Sequence, residues 1–487
     1  IASGPVIPDV TARGAILGLN EDNAGTLTRN YYHNCTVAGV ANATDVGQGT
    51  YNSTATSDVD GARDLYAITL PEYTTLVLTP EATLPGSDTY TYTNGATIDG
   101  TEYFASGCTV TLTVPTGFRL ANVTVNGTAA TDNGDGTWSF TMPAEDATVT
   151  ATVSVPYIDA DGNEQQCTDF TFIESSSDTY NYYGTSGQTN WYVFKGNVTI
   201  GGELNFKDSH SHLIVCDGAT LTINSSNGGI YNNYGSVTIY GQTAGSGSIN
   251  ANTEYSGIDA YSSVTINGCT VNASGNYGIK ASTNTVTINR GNVTATGTSC
   301  DGIYAYYDII LGWSSPNDRI TASSYAIDTD NGGTVKVKDG QTLTDGTDVY
   351  QGTLTDDEIA AIAGKELKPA IPYVDTGGRT QYCLDYTLVR SSDDDVSLGS
   401  SDNAEGWYVV SGDVTITGKL SLEDQAVHLI LCDGATLTVN SSNDPCISAY
   451  NNSKGDLTIY GQTLGTGTAN LTISRSEERR VGKECRS

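Results

Sequence analysis

The chain is short of positive charge. Its 487 residues carry 22 Lys and Arg against 55 Asp and Glu, a formal net charge of −33. Such a balance argues against nucleic acid and anionic membranes as partners, since both are bound through basic patches. No apolar run approaches 20 residues, so no transmembrane helix is expected and no membrane insertion follows. Four histidines give little material for a metal cluster or for acid–base work. No Cys-x-x-Cys pair occurs, and Cys35, Cys108, Cys269, Cys300 and Cys446 stand apart, which speaks against zinc. Charged residues amount to only 16 %, and strong helix formers are correspondingly few. No signal peptide is visible and the first residue is Ile1, so a mature form or a fragment is expected.

What remains is rich in Gly, Tyr, Thr, Ser and Asn, a palette of strands and turns. Within it one line is written four times. Gly257-Ile-Asp-Ala, Gly278-Ile-Lys-Ala, Gly302-Ile-Tyr-Ala and Ala326-Ile-Asp-Thr set Ile258, Ile279, Ile303 and Ile327 in a column, with steps of 21, 24 and 24. Val264, Val286, Ile309 and Val335 make a second column, and Val271, Val293 and Ile320 a third. A period in the twenties marks a solenoid. Each repeat holds three short alternating strands separated by turns and no helix. A single such strand cannot bury enough apolar surface, whereas stacked coils can. The expected fold is all-β: a right-handed parallel β-helix, preceded by a small β-rich domain. Leucine-rich repeats share the period but need a leucine spacing that is missing here.

The chain also contains a long duplication. Cys167-Thr-Asp-Phe-Thr corresponds to Cys383-Leu-Asp-Tyr-Thr, and Trp191-Tyr-Val-Phe to Trp407-Tyr-Val-Val. His212-Leu-Ile-Val-Cys-Asp-Gly corresponds to His428-Leu-Ile-Leu-Cys-Asp-Gly, all at an offset of 216. Residues 157–354 are therefore read as a first β-helix with an N-terminal cap, and 373–474 as a second, truncated copy. Between them, 355–372 reads as a short helix and linker. Thr355 serves as N-cap before an acidic first turn, and Pro369 and Pro372 follow.

Some segments carry resemblances. From Gly117 the run Gly-Phe-x-Leu-x-x-Val-Thr-Val-Asn-Gly, then Asp132-Asn-Gly-Asp-Gly-Thr-Trp-Ser-Phe-Thr-Met-Pro and Val149-Thr-Ala-Thr-Val, is similar to the divergent internalin-type B-repeat. That family forms small β-rich stalk modules, so 80–156 is implied to be a spacer or adhesive module. Asp132 and Asp135 suit either a hairpin turn or a cation. Residues 1–79 are strand- and turn-rich; from Gly14 to Thr36 they resemble the Gly-rich GLUG-type repeats of bacterial surface proteins, and they fit the end of another surface repeat. Asp58-Val-Asp-Gly there reads as a plain turn. The duplicated unit resembles right-handed β-helix modules of secreted and surface proteins of anaerobic bacteria, which are adhesin-like or carbohydrate-binding. This implies an extracellular or cell-surface location. Residues 475–487 hold five basic and three acidic residues and resemble a translated sequencing adapter, so they are left out of the fold.

The candidate site is the outward register beside the first apolar column. Tyr231, Asp259, Lys280, Tyr304 and Asp328 follow the inward residues by one position, and alternation adds Tyr261, Ser282, Tyr306 and Asp330. Strands lie about 4.8 Å apart, so these side chains form ladders. Tyrosines stack on sugar rings while Asp and Lys bond hydroxyls, which suits a polysaccharide or a host or cell-surface glycan. No cofactor is required for that role, and acid ladders can hold calcium. A solvated sheet face is the plainer reading.

Two other classes compete. A polysaccharide lyase on this fold needs a Lys or Arg beside calcium-binding carboxylates; the basic residues of the first solenoid do not recur beside such a group in the second. A glycoside hydrolase needs paired carboxylates, for which Asp301 with Asp308, or Asp328 with Asp330, are the candidates. The third reading is a structural surface stalk. Cys167 with Cys216, and Cys383 with Cys432, are each 49 residues apart and fit either a disulfide to the cap or two buried thiols. Trp191 and Trp407 are expected to plug the open end of each coil.

Overall fold

A computed structural model describes residues 73–80, 84, 89–98, 101–323, 327–399, 406–423, 426–442, 445–449 and 456–473. The GLUG-like segment, the Asp58 turn, Cys35 and the basic tail lie outside these residues.

Strands dominate the regular structure of the described chain, and its principal body is a parallel β-solenoid. The register places like above like. Ile258 pairs with Ile279, Ile279 with Ile303, and Ile303 with Ile327, and the column extends back through Ile230 to Leu204. The second column runs Val237, Val264, Val286, Ile309, Val335, and the third Ile249, Val271, Val293, Ile320. Ile258, Ile279 and Ile303 have no exposed surface. The apolar periodicity and the buried core are thus the same set of residues, and their removal from water is the main stabilising term.

Three sheets wall this core. One is built of short strands: Tyr180–Tyr183, Glu203–Phe206, Ile230–Asn232, Ser256–Ala260, Tyr277–Ala281, Ile303–Ala305 and Ile327–Thr329. The second and third sheets are distinct at the start of the solenoid, where His210–Val215 and Thr220–Ser225 are separate strands. In the middle coils they merge. Val264–Gly275 and Val286–Gly297 each run unbroken around the corner, where the sequence suggested two strands and a turn. The register slips there, and Gly268 (φ 136°), Cys269 (φ 60°) and Gly291 (φ 105°) take up the bend. A bulge redirects the strand without a loop.

The opposite corner depends on close approach. A Cβ on Gly257 would lie 2.7 Å from Ser274 N and 2.9 Å from Ala273 Cβ; one on Gly278 would meet Gly302 O at 2.5 Å. At Gly257-Ile258 and Gly278-Ile279 the pair therefore combines a position with no room for a side chain and the first core residue of the repeat.

The third face is uncharged along its central outward row. Thr199, Thr222, Asn250, Asn272, Thr294 and Thr321 follow one another in register, and Asn272 Nδ2 donates to Asn250 Oδ1 at 2.9 Å.

At the start of the solenoid a hairpin, Ala147–Ile158 with Glu164–Cys167, lies against its flank. Gln242 Nε2 donates to Pro156 O at 2.9 Å, and Gln242 Oε1 accepts from Asp217 N at 2.8 Å. The second copy repeats this with Gln462, Pro372 and Asp433 at 3.0 and 2.8 Å. Trp191 does not plug the coil. It pairs in register with His212 and stacks on its ring at 4.2 Å, between Tyr157 and Tyr240 on the outer flank. Trp407 does the same with His428, Tyr373 and Tyr460. These rings fasten the hairpin to the solenoid, and the apolar surface they cover is the outer side of the strand rather than an end.

The helix Asp356–Ala361 has the expected cap: the Thr355 hydroxyl accepts from Glu358 N, and the Glu358 carboxylate accepts from Thr355 N. The segment after it is more than a linker. Glu366–Pro369 pairs antiparallel with Arg319–Ser323, setting Leu367 beside Ile320 and covering the end of the first coil stack. Tyr386 then donates to Pro316 O and Pro369 O at 3.0 and 3.1 Å, tying the second copy on. That copy has three coils of short strands, with Leu420 pairing with Ile447.

Before the solenoid, one compact β unit contains Tyr92–Thr111 and Ser139–Val149 with the strand Tyr73–Pro80, and buries Phe104, Val110, Phe140 and Met142. In the neighbouring stretch Asp132 accepts from Gly134 N, and Asp135 accepts from the Thr137 N–H and hydroxyl. Both carboxylates are engaged in forming the turn.

Candidate functional site

A surface groove of about 460 Å³ opens on the short-strand face of the first solenoid. It draws its lining from the strands Ile230–Asn232, Ser256–Ala260 and Tyr277–Ala281 and from residues beside them. Tyr231, Asp259 and Lys280, expected to form a ladder, do so in register and all three line the groove. Tyr180, Tyr255 and Tyr277 stand around them, with Glu203, Asn227 and Asn276. Tyr255 is 64 % and Tyr180 48 % exposed, and the Tyr180 ring stacks on Tyr182 at 6.1 Å.

The charged groups are held in place. Asp259 lies 3.5 Å from the Lys280 ammonium and accepts from the Ser282 hydroxyl at 3.3 Å and the Ser256 hydroxyl at 3.5 Å. Burial raises its pKa, and the Lys280 charge and these hydrogen bonds only partly oppose it. The Lys280 ammonium also sits 5.3 Å from the centre of the Tyr277 ring. Glu203 accepts from Asn205 Nδ2 at 2.6 Å and from Gly228 N at 3.3 Å. The Tyr231 hydroxyl is raised by burial first, then by the charges of Asp259 and Glu203. Tyr277 is pushed up to about 12, chiefly by a hydrogen bond with the Cys300 side chain. At neutral pH the raised Tyr231 and Tyr277 are uncharged donors, and the groove combines tyrosine rings with fixed carboxylates and an ammonium.

None of the remaining expected residues lines the groove, and of them Tyr304 and Asp328 lie in the sheet. Tyr304 stacks in register on Lys280, and Asp328 on Tyr304. Tyr261, Ser282, Tyr306 and Asp330 instead lie one residue beyond the strand ends, where alternation no longer applies, and each backbone N–H bonds to the coil before, at 2.7, 2.9, 3.1 and 3.2 Å. Tyr304 approaches Tyr277 at 5.5 Å between ring centres, and its hydroxyl is raised by burial and by Asp330 and Asp328.

Three lining tyrosines escaped the sequence reading, which considered only positions after each inward residue. Tyr255 and Tyr277 lie two residues and one residue before a Gly-Ile pair, and it is Ser256 that pairs in register with Tyr277, so the two rings form no column that a period would mark. Tyr180 belongs to an earlier coil with no Gly-Ile mark. The second copy carries Ser421 and Ser448 where the first has Asn205 and Tyr231, so the aromatic groove is not duplicated.

The candidate hydrolase pair Asp301 and Asp308 is split in role: Asp308 bonds Lys336 at 2.8 Å and Thr334, holding one coil to the next. Among the described residues no three His, Cys, Asp or Glu gather as a metal-binding group. Cys167, Cys216 and Cys383 are buried and Cys432 is half-buried. Cys167 Sγ bonds Asp169 O at 3.4 Å and Cys383 Sγ bonds Asp385 O at 3.3 Å, and burial pushes the Cys167 thiol up to about 11. His212 Nδ1 meets the Tyr240 hydroxyl at 3.0 Å, and burial lowers its pKa to about 4, a structural role under the hairpin. No helix among the described residues is long and apolar enough to cross a membrane. The chain matches no protein-family model, and no curated protein and no solved structure matches it.

Proposed function

We propose that the groove on the short-strand face binds carbohydrate, and that the chain is an adhesin-like protein acting outside the cell or at its surface. The reading rests on one observation: four tyrosines, two of them well exposed, surround a fixed Asp259–Lys280 pair on a flat sheet. Tyrosine rings cover the apolar faces of sugars, and the carboxylate and ammonium accept from and donate to hydroxyls. Lys280 and Asp259 lie 3.5 Å apart and largely neutralise one another, an arrangement that orients a ligand rather than abstracting a proton from it. The solenoid supplies rigidity, so little ordering cost accompanies binding.

A glycan array tests this. Tyr231→Ala and Tyr277→Ala are expected to lose signal while keeping the wild-type circular dichroism spectrum. Unchanged signal in both folded variants removes the groove as the binding site.

A further inference from the structure

The charge of the groove narrows its ligand, and this step rests on the glycan reading above. We infer that the groove takes neutral glycans and turns away those that carry carboxylates. Glu203 and Asp259 are both fixed at the lining, the first by Gly228 N and Asn205, the second by Ser256 and Ser282. Tyr231, at the centre, feels both charges. The cation of the lining, Lys280, already faces Asp259 at 3.5 Å. No arginine stands among the described lining residues to receive a planar carboxylate in the two-bonded manner. A uronate ring would therefore bring a third carboxylate beside two that cannot turn away. The sheet beyond continues with the same sign, through Asp328 and Asp330. A longer acidic chain laid along the coils would meet repulsion there as well. Hydroxyl groups, by contrast, find acceptors in Glu203 and Asp259 and a donor in Lys280.

The experiment is calorimetric titration of the whole chain at low salt with matched hexasaccharides. One set is neutral, built of glucose, xylose or N-acetylglucosamine; the other is a galacturonate hexamer. The expected result is a preference of about tenfold or more for a neutral hexamer, the size of one uncompensated like-charge contact at a partly screened site. The Glu203→Gln, Asp259→Asn double variant is expected to reduce that preference to about threefold or less. Equal or tighter binding of the galacturonate by the wild type overturns the inference while leaving the glycan reading intact. A preference unchanged in the double variant overturns the assignment to these two carboxylates. If no hexamer of either set binds, the glycan reading falls and this inference with it.

Discussion

Replacing Ile279 with alanine should destabilise the solenoid far more than a substitution on its outer surface. Ile279 has no exposed surface and sits in register between Ile258 and Ile303. The change deletes three carbons, worth about 2.4 kcal/mol of lost burial at roughly 0.8 kcal/mol each. The coils above and below are fixed by ladder hydrogen bonds and cannot collapse into the gap, so a cavity cost of about 1 kcal/mol adds to this. The total is about 3.5 kcal/mol. Thr294→Ala, on the exposed side of the same repeat, should cost less than about 1 kcal/mol. Urea unfolding followed by circular dichroism reads the difference. With a slope of about 3 kcal/mol per M, Ile279→Ala should lower the midpoint by roughly 1 M. If the two variants unfold at the same urea concentration, the isoleucine column is not the core.

Further outcomes follow from the corner and the flank. Gly278→Ala places a methyl group against backbone atoms at 2.5 to 2.8 Å; it should lower the melting temperature in calorimetry, by an amount matching about 1 to 3 kcal/mol, even though alanine is the better-ordered residue elsewhere. His212 has a pKa near 4 when folded against 6.5 in its ordinary state. Between those values the unfolded chain takes up a proton that the folded one refuses, so the His212 contribution is present above pH 6.5 and is lost as pH falls towards 4. After discounting for partial exposure this amounts to about 2 kcal/mol. Comparing urea midpoints of wild type and His212→Gln at pH 7 and pH 4.5 should show a shallower decline in the variant; parallel declines would contradict it.

Much of this architecture was readable before any coordinates. Three apolar columns, the 216-residue duplication and the Thr355 cap all depend on local alternation or short-range hydrogen bonding, which leave regular marks in a sequence. The merged strands did not, because a bulge at Gly268, Cys269 and Gly291 looks like any Gly-containing turn. Trp191 was misplaced because its partner Tyr157 lies in a hairpin that folds back on the flank, a contact that no period encodes. The site was half legible. Tyr231, Asp259 and Lys280 follow from strand alternation, whereas Tyr180 and Glu203 reach the groove only through the stacking of coils. Tyr304, Tyr306, Asp328 and Asp330 lie farther along the same face, in coils that do not line the groove.

The most direct test is hydrogen–deuterium exchange of the chain with and without a saturating neutral oligosaccharide. Slower exchange confined to peptides spanning 180–183, 203–206, 227–231, 255–259 and 276–280 is the result this account requires. Slowed exchange on the Thr and Asn face, in the second copy alone, or nowhere at all would contradict it.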